Sequence, residues 1–143
     1  MAKQTPEGKV KKKLIDFLKS LGGDCFYYMP VQNGMGQTGI PDVMAIIKGV
    51  PFAFECKATP KQHPTVLQAY ALDRIHKARG IAWVVDSETV EYVVQHIERF
   101  VSMAKTMVLS DDDWIEDLCK GEPALYRWKD KLKPLEFDDG DLR

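Results

Sequence analysis

Gly39-Ile40-Pro41-Asp42-Val43-Met44-Ala45-Ile46-Ile47-Lys48-Gly49-Val50-Pro51-Phe52-Ala53-Phe54-Glu55-Cys56-Lys57 decides the fold of this chain. Val43 to Lys48 and Phe52 to Ala58 read as two strands joined at Gly49-Val50, a short hairpin connection. The segment between Asp42 and Glu55 is almost wholly apolar, so the hairpin is expected to be buried. Asp42 opens the first strand, and Glu55 and Lys57 lie two apart in the second. Ionisable groups at the end of a buried hairpin are costly unless something pairs them, and a divalent cation pairs carboxylates well.

Outward from the hairpin, helix and strand signals alternate. Thr5-Pro6-Glu7 predicts a helix start, with Thr5 as N-cap and Pro6 in the first turn. Val10, Leu14, Phe17, Leu18 and Leu21 recur at helical spacing, and Gly22-Gly23 stops the helix. Cys25 to Val31 is an aromatic-rich candidate strand, and Gln32 to Gly39 a glycine-rich loop. After the hairpin come a polar loop (59–65), a helix over Val66–Arg79 with Leu67, Ala71, Ile75 and Ala78 on one stripe, an apolar strand at Ile81–Val85, and an amphipathic helix over Glu88–Ala104. The order α-β-β-β-α-β-α predicts an α/β fold, a mixed sheet flanked by helices. Beyond Lys105 the pattern weakens. Asp111-Asp112-Asp113 can cap a short helix through Leu118, and Trp114, Tyr126 and Trp128 argue that the stretch packs on the domain or on a neighbour.

The 143 residues suffice for one domain with a core, and 45% hydrophobic and 29% charged residues are those of an ordinary globular chain. No signal peptide or apolar run of membrane-spanning length is read, so a cytoplasmic protein is expected. Cys25, Cys56 and Cys119 are odd in number and lack metal-ligand spacing, which points to reduced thiols. Net charge is -1, yet residues 1–79 carry 12 Lys+Arg against 6 Asp+Glu, and residues 105–143 carry 7 against 11. A basic front and an acidic tail fit a polyanionic partner for the front; a solvated charged surface reads equally well on charge alone.

With Gly49-Val50 as the turn, Lys48 pairs with Pro51, Asp42 lies opposite Lys57, and Glu55 is its diagonal neighbour. Opposite side chains on one face approach to roughly 5 Å and diagonal ones to about 7 Å. Both carboxylates can then reach one Mg²⁺, whose ligands stand at roughly 2.1 Å, with the Cys56 carbonyl as a third donor. A structural ion pair is the plainer reading of Asp42 and Lys57, but the second acid leaves a net negative pocket that favours a cation. Glu7 stands on the otherwise apolar stripe of the first helix and is expected to face the core as a further or water-bridged ligand; a dipole interaction at the helix start is the alternative. Gln68 shares a face with Leu72 and Ile75 and is expected to position water or phosphate; a solvated side chain is its alternative. His63 belongs to the loop after the second hairpin strand and can face a substrate, whereas His76 and His96 read as surface residues. Cys56 reads as a core residue.

A helix with Glu7, then Gly39-Ile40-Pro41-Asp42, then Phe54-Glu55-Cys56-Lys57, then a helix bearing Gln68, then a strand after Gly80, resembles the PD-(D/E)xK nucleases. The Gly-Ile-Pro-Asp form looks most like the virus-type replication–repair (VRR-NUC) group, and the set is also similar to Holliday-junction resolvases. The resemblance covers about residues 5–100. It implies a restriction-endonuclease-like three-layer fold over 1–104, with 105–143 as an extension. It also implies a Mg²⁺-dependent deoxyribonuclease, Mn²⁺ substituting, with Asp42, Glu55 and Lys57 as its core and Glu7 and Gln68 as supports. No nucleotide cofactor or membrane is implied. DNA contacts are expected from Lys9, Lys12, Lys13, Lys61 and His63, and from close backbone approach at Gly34 and Gly36. A homodimer acting on branched DNA is the expected assembly, and a non-catalytic DNA-binding or assembly module retaining the fold is the rival reading.

Overall fold

Thr5 starts the first helix as its residue type predicts: its side chain accepts a hydrogen bond from the Gly8 N–H, with Pro6 in the first turn. The structure is a computed structural model, and it describes residues 4–31, 39–106 and 122–132. Helix α1 spans Pro6–Ser20 and buries Val10, Leu14, Ile15, Phe17 and Leu18. A single 3-10 turn, Gly22–Asp24, leads to β1 (Cys25–Tyr28). Strands β2 (Val43–Ile47) and β3 (Val50–Cys56) form the hairpin, α2 (Val66–Lys77) crosses over to β4 (Ile81–Val85), and α3 runs over Val90–Thr106. A 3-10 helix, Pro123–Lys131, follows.

The sheet order is β1-β2-β3-β4. The first three strands are antiparallel neighbours, and β4 lies parallel to β3. This is an α/β fold on a four-stranded mixed sheet. The alternation of strand side chains divides the core into two. Val43, Ala45, Ile47, Phe52, Phe54, Ile81 and Trp83 pack with α1 and α3 on one face. Ala53, Ala82 and Val84 pack with Ala69 and Leu72 of α2 and Trp128 on the other. On that second face β3 and β4 are covered, but Phe26, Tyr28 and Ile46 of β1 and β2 are 66%, 52% and 51% exposed.

The hairpin turn differs from the sequence reading. Ile47 pairs with Val50, so the turn is Lys48-Gly49. Both turn residues have positive φ, 50° and 85°. A two-residue turn with positive φ at both positions takes glycine by preference as its second residue, which Gly49 is. Register therefore shifts by two: every side chain keeps its face, but its partner changes.

Helix α2 differs too. Its buried face is Ala69 and Leu72, not the Leu67–Ala71 stripe, and Leu67 is exposed. The stripe borders the uncovered half of the sheet. The C-terminal 3-10 helix was not read from the sequence. Trp128 is fully buried, with its Nε1–H donating to the Ala82 carbonyl at 2.9 Å. Trp128 thus packs within its own chain, which removes it from the apolar surface expected to meet a partner subunit. Trp114 and the expected helix after Asp111 lie outside the described residues. Among the described residues no helix is long and apolar enough to cross a membrane.

Candidate metal centre

Val43 pairs with Phe54, so the next pair along the ladder sets Asp42 across from Glu55, with Lys57 as the diagonal neighbour. Strand β2 begins only at Val43. The ladder position beyond it is filled by a side chain: Asp42 Oδ2 accepts the Cys56 N–H at 2.8 Å. Because N–H and C=O of one strand residue point to the same edge, the Cys56 carbonyl also faces the end of β2. On its other edge β3 holds β4, through the Lys57 N–H donated to the Val85 carbonyl at 2.8 Å.

Glu55 is 2% exposed, and its Oε2 has no hydrogen-bond partner among the described residues. Its other oxygen stands 3.6 Å from Lys57 Nζ. Burial, and next the charge of Asp42, push the Glu55 carboxyl up to about 8, with Lys57 opposing. Lys57 Nζ also donates to Gln68 Oε1 at 3.2 Å. The same Gln68 oxygen accepts the Thr65 N–H at 2.9 Å, and Thr65 Oγ1 accepts the Gln68 N–H, a reciprocal cap at the start of α2. Gln68 is partly buried, and its Oε1 is held by these two donors. It ties Lys57 to the helix start. Gly39 supports this junction: at φ +78°, a Cβ would come within 2.6 Å of the Leu67 backbone. The Gly39–Asp42 turn thus rests directly on the first turn of α2.

Glu7 is brought close but not inside. It is exposed on the first turn of α1, contrary to the expected core position, and raises the Glu55 and Cys56 pKa values only as a minor charge. Residues of a first turn lie beyond the packed part of the helix, which here begins at Val10. Burial pushes the Cys56 thiol far up, so it stays protonated, in keeping with a core residue. His76 is half-buried, its ring edge-on to Tyr126 and Trp128, and His96 stacks on Tyr92. Both replace the expected surface placement with packing against aromatics. His63 and Lys61 are exposed. Lys12 pairs with Asp16 and Lys13 with Glu91, both on the surface. Such exposed pairs contribute about 0–1 kcal/mol and are readily exchanged for another anion. Lys9 and Lys13 line a cleft of about 410 Å³ whose opposite wall is Ala58 and Thr59, next to Lys57. Gly34 and Gly36 lie outside the described residues.

Asp86 and Arg127 were missed in the sequence. Asp86 is fully buried after β4, accepts the Glu88 and Thr89 N–H groups, and is met by Arg127 Nη1 at 2.6 Å. Arg127 Nη2 donates to the Gln62 carbonyl at 2.7 Å, while Gln62 Oε1 accepts the Ala58 N–H at 2.8 Å. The C-terminal 3-10 helix thereby clamps the loop that follows Lys57.

Among the described residues no three His, Cys, Asp or Glu side chains gather into a ligand cluster. The site offers two carboxylates and one peptide edge. That donor set still fits a small hard cation: it is all oxygen, its buried Glu55 Oε2 lacks a partner, and Mg²⁺ usually keeps several waters on one or two carboxylates. Comparison with family models, with curated proteins and with solved structures finds no match to this chain.

Proposed function

We propose that this chain is a metal-dependent deoxyribonuclease of restriction-endonuclease-like fold, akin to the VRR-NUC group, acting on branched DNA. The observation that carries the reading is the Asp42–Glu55 pair: two carboxylates side by side, one buried with an unpartnered oxygen, next to Lys57. A purely structural ion pair needs one acid. The second acid raises the free energy of the site unless a cation or a proton offsets it.

Asp42, Glu55 and the Cys56 carbonyl would hold Mg²⁺ or Mn²⁺. The ion supplies Lewis acidity, polarising a phosphoryl oxygen and making water a better nucleophile. Lys57, oriented by Gln68, directs that water and offsets negative charge on the pentavalent transition state. The water oxygen adds to phosphorus as it gives up one proton to solvent, the bond from phosphorus to the leaving deoxyribose oxygen breaks, and that oxygen takes up a proton from solvent. Lys9 and Lys13, on the cleft wall facing Thr59, are suited to the phosphates flanking the scissile one. The described residues carry one such site, so cutting both strands of a junction calls for two copies.

The test is cleavage of labelled four-way junction, flap and linear duplex DNA with Mg²⁺ or Mn²⁺. Asp42→Ala, Glu55→Ala and Lys57→Ala should each abolish cutting while the circular dichroism spectrum is retained. Cutting in excess EDTA, or by Glu55→Ala at the wild-type rate, would overturn the assignment. Binding of all three DNAs with no cutting under any metal condition would favour the non-catalytic module.

A further inference from the structure

The uncovered half of the α2 face is continuous with the candidate site. Asp42, Met44 and Ile46 share one side of β2, and Met44 pairs with Tyr28 of β1. Between this surface and α2 runs a groove of about 380 Å³, lined by Tyr28, Pro41, Met44, Ala71, Arg74 and Ile75. It opens beside Pro41, the residue before Asp42. Tyr28 and Phe26 stand next to each other on the same strand face, ring centroids 6.4 Å apart. Arg74 is exposed, and its guanidinium has no ion-pair partner among the described residues. The groove therefore combines an accessible aromatic face, an apolar floor and one free cation.

We infer that this groove holds an unpaired nucleotide of a single-stranded DNA arm, its base stacked on Tyr28 and its phosphate on Arg74. The inference rests on the nuclease reading of the adjacent site and specifies the substrate as one with an unpaired arm. Volume agrees: clefts for molecules of nucleotide size run to about 300–1,000 Å³. The chemistry agrees too, since strands bind single-stranded nucleic acid through exposed aromatics beside a cation, and every base has a face to stack. Paired duplex keeps its bases stacked within the helix and has none to offer Tyr28. A second copy of this chain would suit the apolar floor but would take the exposed guanidinium of Arg74 out of water, at a desolvation cost.

Binding is read by fluorescence anisotropy with Ca²⁺, using a short fluorescein-labelled single strand and a blunt-ended two-strand duplex of the same length. Tyr28→Ala and Arg74→Ala should each weaken single-strand binding about tenfold and leave duplex binding unchanged, while Tyr28→Phe stays near wild type. Tyr28 is half exposed, so the variants should fold, and Tyr28→Phe guards against a packing effect. Unchanged single-strand affinity in Tyr28→Ala overturns the proposal, as does equal loss on both DNAs. A wild-type mass of two chains that falls to one in Tyr28→Ala also overturns it, by assigning the groove to a second copy. Arm binding through Tyr28 in a protein that cuts nothing would remove the hydrolytic reading alone. Glu55-dependent cutting indifferent to Tyr28 would remove the groove alone.

Discussion

Glu55 carries the opposing demands of the site in one side chain. Its carboxyl is buried beside Asp42, which holds its pKa near 8, above the ordinary carboxylate value. In the unfolded chain the same group loses its proton near 4.5. Between these values the folded state binds the extra proton, so stability falls as pH rises through that window. Without divalent metal, the melting temperature of the wild type should decline from about pH 4.5 to about pH 8 relative to Glu55→Gln. The variant should melt higher at pH 8, because neutralising the side chain removes a buried charge at little cost in volume. Thermal melts of both proteins in EDTA across this range decide it; parallel curves would show that Glu55 does not titrate in this way. Lys57 is legible at the same scale. Alternation alone put it on the face of Glu55, and no register error of two could move it off. Glu7 was not legible, because helical spacing reports which side of a helix faces inward but not how far along the helix the packing extends.

At the scale of elements, the sequence yields the order of helices and strands and the parity of the hairpin, and it misjudges what depends on turn geometry or distant partners. Gly49 marks the hairpin but not which turn position it occupies; the demand for positive φ at both turn residues settles that. Residues 67, 71 and 75 of α2 form an apolar stripe with Ala78 at its C-cap, yet a stripe names no partner, and here Ala71, Ile75 and Ala78 border an open groove while Ala69 and Leu72 enter the core. Arg127 and Asp86 are 41 residues apart and belong to no local pattern. Their pairing is nonetheless a buried one, and truncating one partner leaves a buried charge alone, at a cost of about 3–5 kcal/mol. Arg127→Ala should lower stability by that order. Arg127→Lys should keep the charge but lose the fork that grips both Asp86 and the Gln62 carbonyl. Its cleavage should fall more than its stability, since the loop after Lys57 is released; urea melts beside rate measurements separate the two, and equal wild-type rates would reduce the clamp to a stabilising role. Gly39→Ala tests the other side of the same junction. Positive φ and contact with the Leu67 backbone both oppose a methyl group there. A loss of about 1–3 kcal/mol is expected, with a drop in activity beyond it because Asp42 moves relative to Gln68. A neutral substitution would show that the turn relaxes freely.

For the whole molecule, the proton on Glu55 and the proposed cation compete for one place, and this competition makes metal binding visible in global stability without any cleavage assay. A ligand that binds only the folded state stabilises it by RT ln(1 + [L]/Kd), about 2.7 kcal/mol at a hundredfold excess over Kd. For a domain of this size each kcal/mol moves the melting temperature by roughly 2–4 °C. Mn²⁺ must displace the Glu55 proton, so its apparent affinity is weak well below pH 8 and rises toward it. The same Mn²⁺ concentration should therefore raise the melting temperature by several degrees at pH 8.5 and by little at pH 6. Metal-free stability runs the opposite way with pH, so a general effect of pH on the fold cannot imitate this pattern. Asp42→Ala should abolish the increment, since one carboxylate and a peptide carbonyl make a poor site for a hard cation. Glu55→Gln should abolish it too, and with it the pH dependence. A Mn²⁺ increment that is equal at both pH values, or that survives Asp42→Ala, would place the ion elsewhere on the chain and leave the Asp42–Glu55 pair without a cation to account for it.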